Sequence, residues 1–277
     1  MTSVIKILIL ILLVNINLFA QEYLLSKLKF ADSLFSAEKY FDAITEYKRL
    51  LFFDSTNQFS FDANFRIGLC YKEGAKFDEA LKYFVFAEVN SRNPQQIFES
   101  KIYQVRINIL RRSVLRAEKI LNELENDLRF IDYQEEVTYW RAWNKIFSDD
   151  WEAAAQLFSE INETYLANLC LNTYENLYSV DFAKYSSMVL PGLGQFYTGE
   201  YLNGILSLSW NILSAYLTIS AFNAERVLDG IVTANLLWFR FYRGNFQNAE
   251  KFANAKNISI TNQSLLFLQN DFIGLKP

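Results

Sequence analysis

The chain contains no histidine. The side chain most often used for proton transfer and zinc ligation near neutral pH is therefore missing, and a non-enzymatic role is expected. Glycine and proline are scarce, at nine and three among 277 residues. That scarcity excludes collagen-like and low-complexity classes and favours long packed helices. Only two cysteines occur, Cys70 and Cys170, with no CxxC pair, so two buried thiols are expected rather than a metal or redox motif. Basic excess is absent too: the net charge of −4 speaks against a nucleic-acid surface, which would have to neutralise phosphates. What the chain does hold in quantity is apolar side chains, at 51%, including 17% aromatics.

The first residues read as an export signal over 1–20. Lys6 precedes the apolar run ILILILLVNINLF, and Ala20 stands before Gln21 as a small residue for cleavage. An uncleaved anchor is the alternative, because Leu18 fits the small position before Ala20 poorly.

From Tyr23 onward the chain is self-similar. YFDAITEY, FDEALKYF, VLRAEKIL and WEAAAQLF share a large residue, an alanine three later and another large residue four after that, with the alanines at Ala43, Ala80, Ala117 and Ala154. The step is 37 residues each time, which predicts four stacked helical hairpins over 21–162. The second unit resembles the tetratricopeptide repeat through Ile67, Gly68, Tyr71, Phe77, Ala80, Phe84 and Ala87. The third departs, with Gln104, Val105 and Asn108 where that family has Leu, Gly and Tyr, so a register shift in its first helix is expected. The resemblance implies an all-α superhelix that binds a protein partner.

Helical spacing also marks an i, i+4, i+7 stripe on the first helix of each unit: Leu28, Asp32, Phe35; Phe65, Leu69, Lys72; Ile102, Arg106, Ile109; Tyr139, Trp143, Ile146. Its apolar members, with Arg106, read either as a partner groove or as a surface packed against the chain's own C-terminal part.

Residues 163–186 read as one closing helix. PGLGQFYTGEYLNG follows, in which Pro191 stops the helix and Gly192, Gly194 and Gly199 let the backbone turn, while Gln195 and Tyr197 complete the motif. Phe196, Tyr197 and Tyr201 suit a membrane interface. Then GILSLSWNILSAYLTISAF runs for nineteen residues without a charge, about 28 Å as a helix. A polar NAER turn and the shorter VLDGIVTANLLWF complete a hairpin over 187–245, leaving 246–277 as a tail. Gly204, Ser207, Asn211, Ser214, Thr218 and Ala221 recur at helical spacing as a small and polar packing stripe, with Asn235 expected opposite Ser214 and Ala215.

This segment resembles the PGxGQxYxG pattern of the two-transmembrane-helix domains and of exported bacterial repeat proteins, which implies membrane association without a settled chemistry. GLGQFYTG has neither phosphate-loop spacing, and no cofactor is expected. These readings combine into an exported adaptor at the periplasmic face of the inner membrane, binding a protein partner and membrane lipid but no nucleic acid. A soluble periplasmic binding protein for a lipid-like ligand is the alternative.

Overall fold

The structure, a computed structural model, describes residues 22–277. The export signal expected over 1–20 lies outside the described residues. The protein is all-α, with no strand among the described residues, and divides into two compact units that meet in sequence at Ala167 and Asn168.

The first unit is four helical hairpins: α1 (22–36) with α2 (Tyr40–Phe53), α3 (Ser60–Glu73) with α4 (Phe77–Val89), α5 (Pro94–Leu110) with α6 (Val114–Glu125), and α7 (Gln134–Phe147) with α8 (Trp151–Glu160). The second helices begin at Tyr40, Phe77, Val114 and Trp151, so the 37-residue step seen in the alanines is the step of the structure. Ala43, Ala80, Ala117 and Ala154 are all fully buried.

A second periodicity, invisible as a residue pattern, accompanies the first. Glu38, Ala75, Arg112 and Asp149 stand 37 apart and all take a left-handed backbone, with φ between 53° and 61°. Each closes the first helix of its hairpin with the same pair of bonds. In the second unit Ala75 N–H donates to Lys72 O at 2.9 Å and Lys76 N–H to Tyr71 O at 2.8 Å. The pair satisfies carbonyls that the helix end would leave open. Glycine usually fills this place, because a Cβ costs about 1 kcal/mol or more there; here four residues with side chains do.

In three of the four hairpins a small residue on the first helix admits a large one from the second. A Cβ on Gly68 would lie 2.7 Å from the Phe84 ring, so only glycine allows this approach. Ala31 and Tyr47, and Ala142 and Phe158, hold the corresponding places and are fully buried. The third unit holds Val105 and Leu121 there instead, both fully buried, trading a small-large pair for two of middle size. That exchange accounts for Val105 in place of the glycine. No register shift accompanies it, since α5 ends at Leu110, 37 residues after Glu73. The displaced Gln104 is accommodated by donating to Glu88 Oε2 at 2.6 Å.

The second unit begins within α9 (Thr164–Glu175) and continues through α10 (Val180–Val189), the short α11 (Leu193–Tyr197) and α12 (Tyr201–Asn223). The returning arm is α13 (Val227–Thr233), a π-helical turn over Ala234–Trp238 and α14 (Phe239–Asn270). Two expectations change here. The stretch 163–186 is two helices rather than one, because Leu177 to Ser179 break between them. Residues 246–270 are no separate tail but the body of a 32-residue helix that packs along α10. Asn257 fixes that packing, accepting from Tyr178 N–H at 2.7 Å and donating to Tyr178 O at 2.9 Å. Ala183, Ala249 and Ala253 let the two helices approach.

Candidate functional site

The glycines of PGLGQFYTG are consumed by packing. Gly192 has φ +95° and lies so close to α12 that a Cβ would stand 2.5 Å from Gly204 O. A Cβ on Gly194 would overlap the Ala183 carbonyl oxygen and come within 2.6 Å of Ser187 Oγ and 2.7 Å of Ala249 Cβ. Gly199, at φ +78° with open space around it, ends α11 with the same pair of bonds that closes the repeat helices. Pro191 follows Leu190, whose extended backbone terminates α10.

Gln195, only 1% exposed, is the centre of a buried polar knot. Its amide donates to Asn245 O at 2.8 Å, and its Oε1 accepts from Ser187 Oγ at 3.2 Å. Gly194 N–H donates to Ser187 Oγ, while Asn245 donates to Ser187 O at 2.6 Å and accepts from Gly192 N–H and Ser207 Oγ, both at 2.8 Å. One asparagine on α14 thereby binds α10, the loop before α11 and α12 together. Such a network specifies a single arrangement, because each member left unpaired in the interior would cost about 1 to 3 kcal/mol. Tyr197 serves the same junction from outside: its hydroxyl accepts from Ser179 N–H at 3.0 Å, and its ring packs edge-on against Tyr178 and Phe182. The motif expected to sit at headgroup level is thus a clamp. Gly192, Gly194 and Gln195 face the interior, and Tyr197 is the partly exposed member.

Beyond the clamp the polarity of the chain inverts. On α12 the residues Gly204, Asn211, Ser214, Thr218 and Ala221 are buried, with Ser207 half-buried, while Ile205, Leu206, Ile212, Tyr216 and Ile219 are each more than half exposed. Ser214 and Thr218 satisfy themselves within the helix, Thr218 donating to Ser214 O at 2.8 Å. The returning arm behaves alike, exposing Leu228, Val232 and Leu236. Asn235 is exposed and donates to Ile231 O at 2.9 Å in its own helix. No hydrogen bond joins it to Ser214, and it lines a cavity with Trp210 and Asn211 of α12 instead.

In the first unit the expected partner groove is largely interior. Phe65, Ile102 and Trp143 are buried, and Leu28, Phe35, Leu69, Arg106 and Tyr139 are half-buried. Phe65 packs against Phe84 and Tyr103 with centroids 5.4 and 5.0 Å away, and Trp143 meets Phe158 at 6.4 Å. This corrects the groove reading for those three: the hairpins stack tightly enough for the stripe to be core. Arg106 lies between the rings of Tyr103 and Trp140, at 4.4 and 4.7 Å. Burial lowers the Lys72 ammonium below the usual lysine range, and the neighbouring Arg106 charge adds to that.

The aromatic surface that spacing did not single out is on α2. Phe41 and Phe52 are 81% and 83% exposed, Phe53 is exposed beside them, and a cavity of about 640 Å³ lies among them with Lys48, Arg49 and Lys76 on its wall. The signal was available: none of the three falls in the Ala43, Tyr47, Leu50 register that fills the core.

No known family model, curated protein or solved structure matches the chain. No group of metal-ligating side chains occurs among the described residues. Both thiols are buried, and burial pushes the Cys70 and Cys170 thiols up to about 12.

Proposed function

We propose that this protein is a membrane-attached, helical-repeat adaptor of the bacterial envelope, exported and held at the periplasmic face of the inner membrane by its α12–α13 hairpin. The polarity of α12 carries the reading. This 23-residue helix has no charged residue and passes the length and hydropathy test for a membrane span. At 1.5 Å per residue it measures about 34 Å, against a hydrocarbon core of about 30 Å. Its buried face is the polar one. Roughly fifteen large apolar side chains on the hairpin are exposed. Leaving them half in water forfeits on the order of 15 kcal/mol, as much as a whole domain's net stability. Lipid removes that cost and makes an interior of Asn, Ser, Thr and Gly the favourable arrangement. The tetratricopeptide-like repeats then supply the partner surface, and the α2 aromatics are the part of it open to capture a protein.

The test is extraction followed by labelling. The full chain should stay in the membrane pellet through alkaline carbonate. In a background with Cys70 and Cys170 replaced by alanine, single cysteines at Tyr201, Glu225 and Lys251 are treated with an impermeant thiol reagent in spheroplasts. Labelling at Tyr201 and Lys251 with protection at Glu225 is the expected result. Release by carbonate, or equal labelling at all three, would overturn the attachment and favour a soluble binding protein.

A further inference from the structure

Between α12 and the start of α14 lies a cavity of about 730 Å³ whose lining differs in charge from the rest of the chain. Of its fifteen lining residues seven are Asn or Gln, two are Arg240 and Arg243, and none is acidic, although the protein as a whole is net negative. Arg240 and Arg243 are exposed and make no ion pair with any described residue. Asn211 is buried, spends its amide N–H on Ser207 O at 2.8 Å, and has no donor for its Oδ1. Gln195, Asn203, Asn211, Asn235 and Asn245 already donate within the protein, so the free donors are the two guanidiniums with Gln247 and Asn248 beside them. That set suits an anion with several oxygen acceptors, while the open Asn211 Oδ1 suits a hydroxyl donor on the same ligand. The volume suits a headgroup-sized ligand.

Position selects which anion. Asn203 and Asn211, both on the lining, are about 12 Å apart along α12, so the cavity reaches from the level of Tyr201 down into the near leaflet. Its rim is Leu206 and Trp210, both on the outward apolar face of α12 and about half exposed. Trp210 is stacked on Phe241 at 5.2 Å and 14°, closing one wall. A ligand seated here would have its charge on the arginines and its apolar part against lipid-facing side chains.

We infer that this cavity binds the phosphodiester headgroup of an anionic phospholipid, with Arg240 and Arg243 on the phosphate and the amides on headgroup hydroxyls. The inference rests on the membrane attachment proposed above. It deepens that reading by making the hairpin selective for lipid class.

The experiment uses the full chain in dodecyl maltoside, titrated with dihexanoyl phosphatidylglycerol, dihexanoyl phosphatidylcholine or inorganic phosphate, with bound adducts counted by native mass spectrometry. Phosphatidylglycerol should bind at least about tenfold more tightly than the other two, a difference of about 1.4 kcal/mol: phosphatidylcholine offers the same phosphodiester but brings a quaternary ammonium that the guanidiniums repel and no hydroxyl for the amides, and inorganic phosphate lacks the apolar part. The double variant Arg240→Gln, Arg243→Gln should lose that preference, and Lys251→Gln, outside the cavity, should keep it. Both arginines are exposed, so the variant is expected to fold; Arg240→Lys with Arg243→Lys, which retains the charge, should recover part of the preference. Equal binding of the two lipids, or a preference untouched in the glutamine variant, would overturn the inference. Phosphate binding as tightly as phosphatidylglycerol would overturn the lipid as its source. A chain that resists carbonate yet shows no lipid preference refutes the headgroup site alone, whereas release by carbonate refutes the attachment beneath it.

Discussion

Replacing Gly194 with alanine adds one methyl group at the tightest point of the clamp. Ordinary carbon contacts lie near 3.5 Å, but the new Cβ would stand 2.6 Å from Ser187 Oγ and 2.7 Å from Ala249 Cβ, with the Ala183 carbonyl closer still. Helix α11 must therefore move roughly 1 Å away from α10. Overpacking of this kind costs about 1 to 3 kcal/mol, and separating Gly194 N–H from Ser187 Oγ adds about 1 kcal/mol. The sum, about 3 kcal/mol, corresponds to a fall on the order of 100-fold in local hydrogen-exchange protection. Peptides covering residues 183–204 of the full chain in detergent, followed by mass spectrometry, report it directly. Two glycines nearby provide the scale. Gly199→Ala meets no neighbour but keeps φ +78°, for a cost of about 1 kcal/mol. Gly244→Ala, in open space inside α14, should stabilise by about 0.5 to 1 kcal/mol. If Gly194→Ala retained protection within twofold of the native chain, α11 would not be seated against α10 and the clamp would be refuted.

Other expectations follow from the repeats and from the two buried thiols. Trp143→Ala, at a residue 2% exposed, should cost about 3 to 5 kcal/mol of folding stability, whereas the same residue facing a partner would tolerate the change; urea unfolding separates the two. Ala80→Leu, at a fully buried contact, should cost about 1 to 3 kcal/mol by the same measurement. Arg112→Gly, at φ 53°, should raise stability by about 0.5 to 1 kcal/mol because glycine relieves the left-handed strain. Phe52→Ser, at an exposed position, should leave the unfolding midpoint within error yet weaken capture of any protein partner. Burial disfavours the thiolates of Cys70 and Cys170 and holds both thiols protonated through neutral and mildly alkaline pH. A disulfide reagent at pH 8 should therefore find no reactive thiol in the native chain and two in denaturant.

The repeats were legible because their information is local and periodic. An alanine every 37 residues marks a helix contact whatever surrounds it, and the start of every second helix followed from it. What the spacing could not decide was whether the stripe through Phe65, Ile102 and Trp143 faced a partner or the core. Side-chain identity is the same in both cases, and only the tightness of stacking between hairpins separates them. The four left-handed turns were hidden for a different reason: Glu38, Ala75, Arg112 and Asp149 share a backbone conformation and no side-chain chemistry. The glycine-rich motif showed itself as a break in the helices, but the break does not reveal that Gln195 meets Asn245. Those residues are fifty apart, joined by hydrogen bonds that no spacing rule encodes.

The repeats and the α12–α13 hairpin follow opposite rules of burial, and the clamp stands at the foot of the hairpin, within the second unit. In the repeats the interior holds Tyr47, Phe84, Trp140 and Phe158, and the drive to bury them can come from water alone. In the hairpin the interior is amide, hydroxyl and glycine while leucine and isoleucine face outward, so no hydrophobic drive in water would close it. Hydrogen bonds must then set the geometry that apolar packing sets elsewhere. Asn245 reaches α10, the α10–α11 loop and α12, joining them at the foot of the hairpin with bonds of 2.6 to 2.8 Å. Removing that amide by Asn245→Leu should loosen the foot of the hairpin in detergent without changing the repeats. Exchange should rise in residues 187–207 and stay unchanged in residues 60–160. A uniform rise across both units would mean that the clamp carries the stability of the whole chain rather than the orientation of its hairpin.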